Sequence, residues 1–143
     1  MRVLIAPDSF KGSLTSVAVA QALARGWVRA RPDDEVRIAP LADGGEGTLV
    51  AVEAAGGWQW RDAAAHDPLG RPIRAPWLAR DDGDAAFVEM AQASGLSLVA
   101  SDERDAARVT SEGTGDVLRA VLDAWIRNVS LGIGGSATTD GGA

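Results

Sequence analysis

The chain has 143 residues, of which 46% are hydrophobic and 24% charged, and a formal net charge of −6. That length suits one modest domain, and the acidic balance, with a pI near 4.7 and no Lys/Arg-rich stretch, argues against a nucleic-acid partner. The absence of cysteine excludes a disulfide framework and a thiolate metal site, and with His66 as the one imidazole, zinc hydrolysis or a Ser/His/Asp triad would be excluded or strained.

Taken in chain order, Met1 to Ala6 is too short for a signal-peptide core or a membrane span, which points to a cytoplasmic protein without a membrane partner. Val3–Ala6, a continuous apolar run bounded by Pro7, predicts a first strand buried on both faces of a parallel sheet. Val17, Ala20, Leu23, Ala24, Trp27 and Val28 recur at helical spacing, with Ser13 or Thr15 as N-cap and Pro32 beyond the end. Val36–Ala39 reads as a second strand and Gly47–Ala55 as a second helix closed by Gly56 and Gly57, giving the βα rhythm of an α/β protein. Trp58–Trp60, Ile73–Leu78 and Ala85–Met90 are strand candidates, with turns at Pro68–Gly70 and Asp82–Gly83. Val117, Leu118, Val121, Leu122 and Trp125 predict one helix face, and Val129–Ile133 a strand that runs into Gly134. A change of character near His66–Arg74 suggests a domain boundary.

Three of these strands end in loops rich in glycine and each carrying an acid: residues 7–13, 40–48 and 134–142. In open α/β sheets ligands lie outside the carboxyl ends of strands. Glycines let backbone N–H groups approach a phosphate, and a helix starting there adds partial positive charge. Gly12, Gly44, Gly45, Gly134 and Gly135, with Ser9, Ser13 and Ser136, are therefore candidates for phosphate or substrate binding. An acid beside a phosphate makes sense as a magnesium ligand or as the base for a substrate hydroxyl, which nominates Asp8, Asp43 and Asp140, the last two for the metal. Lys11 would neutralise charge on a transferring phosphoryl group.

Plainer readings stand beside these. Lys11-Gly12-Ser13 serves as a turn and helix cap, Asp43-Gly44-Gly45 as a tight turn, and Gly134-Gly135 as the exit of a buried strand. Gly113-Thr114-Gly115 suits an anion site or a helix start equally. Neither the Gly-Lys-Ser/Thr phosphate loop nor Gly-x-Gly-x-x-Gly is present, which disfavours a Walker-type ATPase or a dinucleotide enzyme. His66, beside Asp67 and Pro68, reads as a turn residue rather than a base.

Ile5–Leu14, Pro40–Thr48, Pro68–Gly70, Glu89–Ala91 with Ser94–Leu96, Thr110–Gly115 and Gly132–Ala143 together resemble the type I glycerate kinase family, in family order across the chain. The resemblance implies ATP-dependent phosphorylation of D-glycerate, with 2-phosphoglycerate the favoured product and Mg²⁺ as cofactor. It implies a Rossmann-like parallel-sheet domain with a second, inserted α/β domain, the active site lying in the cleft between them. The expected division is residues 1–70 as the first part of a discontinuous N-terminal domain and 71–143 as the start of the second. Asp8, Lys11, Asp43, Glu46, Ser136 and Asp140 fall in its most characteristic motifs, so Glu46 joins the binding candidates. Family members are considerably longer, so the chain is expected to be the N-terminal portion of a longer protein. Two other readings stay open: a catalytically inactive binding module, and a kinase of another small hydroxy acid.

Overall fold

The computed structural model describes residues 1–142. The first unit is β1 (Arg2–Ile5), α1 (Ser16–Ala30), β2 (Glu35–Ile38) and α2 (Thr48–Ala54). β1 and β2 pair in parallel, from Arg2 opposite Glu35 to Ile5 opposite Ile38, so α1 is the crossover of a βαβ unit. α1 starts at Thr15, whose hydroxyl accepts the Ala18 amide at 3.2 Å, and buries Val19 and Ala20.

β3 (Trp58–His66), β4 (Pro72–Arg80), β5 (Ala85–Glu89) and β6 (Asn128–Gly132) form a four-stranded mixed sheet in that order. β3, β4 and β5 are antiparallel neighbours, whereas β5 and β6 run parallel. Their connection carries α3 (Ala91–Ser94), a 3-10 turn at Leu96–Leu98 and α4 (Glu112–Asp123). The main core lies between this sheet and α4: Ala63, Ala65, Ala75, Trp77, Ala79, Ala86 and Val88 meet Val117, Val121 and Ile126. The alanines keep the sheet face low, and Gly113 then lets the first turn of α4 approach the β3 backbone. A Cβ there would fall 1.8 Å from the His66 carbonyl oxygen.

Two expectations from the sequence are corrected. β1 is not buried on both faces: Ile5 is buried, but Leu4 is 66% exposed, because β1 pairs along one edge with β2 and the described residues do not cover the Leu4 face. Trp125 is not on the buried face of α4. The helix ends at Asp123, Trp125 takes a φ of 63° beyond it, and its ring is exposed with the Arg127 guanidinium 5.5 Å from its centroid. The β3–β4 hairpin turns at residues 67–71, with nine residue pairs between its strands, and α2 ends at Ala54 before β3 begins at Trp58.

Asp34, at the entrance to β2, gathers the first unit's ends. It accepts from the Met1 ammonium at 2.7 Å, the Trp27 indole at 3.1 Å and Arg31 at 2.8 Å. The ammonium first, then the indole, and Arg31 as well, outweigh the opposing effect of burial and hold its carboxyl at about 2, against 3.8 ordinarily. A depressed carboxyl contributes stability above its unfolded pKa and loses it as pH falls through the folded one. The chain should therefore lose part of its stability between about pH 4 and pH 2. Asp34→Asn should melt lower at neutral pH and show a shallower fall across that window, as thermal melts at stepped pH would read.

Candidate active site

The loops after β1 and β2 enclose a cleft of about 530 Å³, closed on one side by Ser97. Its charged lining is Asp8, Lys11, Asp43 and Glu46; Phe10, Leu14 and Leu41 form an apolar wall beside them. Ser9, Gly12 and Ser13 also face it. Two of the three candidate loops thus converge on one space.

The first loop is a tight turn in which Phe10 exchanges backbone hydrogen bonds with Leu14 and its carbonyl also accepts the Ser13 amide and hydroxyl. Gly12 takes a φ of 79° at its apex, a conformation that suits glycine. Among the described residues the amides of Lys11 and Gly12 donate to no protein acceptor. Asp8 accepts the Ser9 amide at 2.6 Å, and Lys11 reaches Asp43 at 3.4 Å with its side chain 81% exposed. Lys11 and Gly12 line the cleft, the one with its ammonium and both with amides that no protein acceptor occupies among the described residues.

The second loop is engaged in part. Asp43 accepts the Gly45 amide at 2.9 Å, and the Glu89 carboxylate accepts the amides of Gly47 and Leu49 at 3.2 and 2.8 Å. The Gly45 N–H first, then Lys11, hold the Asp43 carboxyl below its ordinary value. Asp43 is thus a fixed anion and a weak base.

The third loop does not line the cleft; it stands behind the second. Gly134 donates to the Gly44 carbonyl at 2.9 Å, and a Cβ on Gly134 would fall 2.6 Å from the Gly45 nitrogen. A Cβ on Gly132 would lie 2.7 Å from the Gly44 carbonyl oxygen, and one on Gly135 would collide with the Glu46 carboxylate. Gly132 and Gly134 thus clear room for another stretch of backbone, and Gly135 for a side chain. Ser136 bonds within its own turn, to Thr138. Asp140 accepts the Ser111 amide at the start of α4 at 2.7 Å and the Gly142 amide at 3.1 Å. Those two amides, Ser111 first, hold its carboxyl below the ordinary range. His66 lies away from the cleft, its Nδ1 2.8 Å from Asp116 on α4.

No three His, Asp or Glu side chains gather as a metal cage among the described residues. A cation held by protein alone does not fit here. Magnesium held by one carboxylate together with ligand phosphates and water does, and the outer oxygen of Asp43, on a side chain 55% exposed beside Lys11, is suited to it.

Sequence reasoning missed Glu89, Ser97 and the apolar wall. Only Glu89 left a signal: an acid closing the apolar run Ala85–Val88, where a buried strand has no ordinary use for one. No helix among the described residues is long and apolar enough to cross a membrane.

Comparison with known proteins places this geometry in a lineage. The chain is 47% identical to the glycerate 2-kinase of Escherichia coli K12 over all 143 residues, and 45% identical to the glycerate kinase of Bacillus subtilis 168 over the same length. It spans 38% and 37% of those proteins. A solved glycerate kinase 2 structure from Salmonella typhimurium LT2 superposes with a TM-score of 0.83 at 44% identity, over 99% of this chain and 38% of that one. The glycerate kinase family model matches residues 3–143, the two cleft loops and the third loop behind them included, and the chain belongs to that family.

Proposed function

We propose that this segment binds ATP and glycerate in the cleft between its first two loops and serves ATP-dependent phosphorylation of D-glycerate, with 2-phosphoglycerate the favoured product. The observation that carries the reading is the meeting of one ammonium, two open amides and three carboxylates in a single cleft on a chain of this family. Bound ATP supplies the phosphoryl group, with magnesium screening its phosphates. Lys11 and the amides of Lys11 and Gly12 hold anionic oxygens, and Asp43 contributes one oxygen toward the cation. Asp8 accepts the proton of the glycerate hydroxyl, since Asp43 and Asp140 are held as weak bases. Gly134, Gly135, Ser136 and Asp140 act at one remove, by supporting the second loop and the start of α4. The two sheets are read as parts of a Rossmann-like domain and a second α/β domain.

A coupled assay of ADP release over glycerate and other small hydroxy acids tests this, with NMR of the product locating its phosphate. Release fastest with glycerate supports the reading. Faster release with another hydroxy acid reassigns the substrate, and ATP binding without release leaves a binding module.

A further inference from the structure

Glu89 closes β5 in the four-stranded sheet, and it is 1% exposed. Its carboxylate accepts the Leu49 amide at 2.8 Å, the Gly47 amide at 3.2 Å and the Gln92 side-chain amide at 2.5 Å. No Lys, Arg or His pairs with it among the described residues. Burying a carboxylate without a counter-ion is costly unless hydrogen bonds replace its water.

What it contacts gives that cost a use. α2 lacks a side-chain cap of its own: Gly47 stands at the N-cap with a φ of 91° and has no side chain to offer. The acceptor that Ser, Thr or Asp would ordinarily supply from the N-cap comes instead from the other sheet. Gly47 and Glu46 line the cleft, and residues 43–47 lead directly into α2. The carboxylate therefore ties a cleft-lining loop to the end of β5.

We propose that Glu89 is a positioning residue of the site: by holding the amides of Gly47 and Leu49 it fixes the loop that presents Asp43 and Glu46 to the cleft. The expected effect on ATP affinity rests on the reading of the cleft as the nucleotide site; the fixing of the loop does not.

The test compares Glu89→Gln with Thr114→Ala, which removes a buried hydroxyl pair to Ser94 between α3 and α4 and controls for general loss of stability. Amide exchange of the unliganded chain is followed by NMR, and affinity for ATP with magnesium by calorimetry. In Glu89→Gln, exchange at Gly47 and Leu49 should quicken about tenfold and ATP affinity fall about tenfold. In Thr114→Ala both should stay within about threefold. Unchanged exchange at Gly47 and Leu49 in folded Glu89→Gln, or equal quickening in the control, overturns the proposal. Should Glu89→Gln not fold, Gln92→Ala removes one donor to the same carboxylate and should quicken Gly47 about threefold while sparing Val121; no change there overturns it equally. Failure of the unaltered chain to bind ATP removes the nucleotide reading and leaves exchange to decide the role of Glu89.

Discussion

On the proposed function, Lys11→Ala in the full-length protein should lower ATP-dependent turnover of glycerate about 100-fold or more while shifting the melting temperature by less than about 2 °C. The two halves of that result come from the same geometry. The Lys11 side chain is 81% exposed, and its one ion pair, to Asp43, spans 3.4 Å; an exposed pair of that kind contributes about 0–1 kcal/mol to folding. Its charge nonetheless faces a cleft whose other charged lining residues are Asp8, Asp43 and Glu46. An anionic ligand there needs that ammonium. Lys11→Arg, which keeps the charge but changes its shape, should fall between the two. Steady-state assays beside thermal melts separate the effects, and near-normal turnover in the alanine variant would sink the assignment.

Two glycines in the first turn of one helix should answer to alanine with opposite signs. Gly113→Ala places a methyl 1.8 Å from the His66 carbonyl oxygen and 2.9 Å from its carbon. Both belong to backbone in a paired strand, so α4 must lift from β3 and open the core around Val117 and Val121. A cost of about 3 kcal/mol is expected. Gly115→Ala meets nothing within 4 Å and should instead gain about 0.5–1 kcal/mol from lower unfolded-state entropy and better helix propensity. Urea melts of both variants measure the difference; a gain at Gly113 would mean that α4 does not sit this close to β3.

The first unit was legible because its signals are strong and local. A proline-bounded apolar run, a 3.6-residue spacing and a threonine cap gave β1 and α1, and the strand that follows completed the rhythm. The hairpin of β3 and β4 was harder to read, because its inward residues, Ala63, Ala65, Ala75 and Ala79, alternate with little contrast in hydropathy. Trp125 continued the spacing of α4, but the helix had already ended, and Arg127 donating to the Leu122 and Ile126 carbonyls closes that end. At the site, the rule that ligands lie beyond strand ends singled out loops of which the first two share the cleft. What sequence could not separate was a glycine that a turn beside the cleft requires from one that clears room for another backbone. Gly12 and Gly134 look alike in the chain; one stands at the cleft and the other against Gly44 and Gly45. Glu89 was hidden for a related reason, since its partners are amides some forty residues earlier.

Where Gly44 and Gly45 meet Gly132 and Gly134, backbone lies against backbone, with no side chain at any of the four positions. Glycine loses more conformational freedom than other residues when a chain folds. That ordering cost is met once, at folding. A loop fixed in this way has no side chains at its back to immobilise each time a ligand arrives, so less of the binding free energy is consumed in ordering the protein.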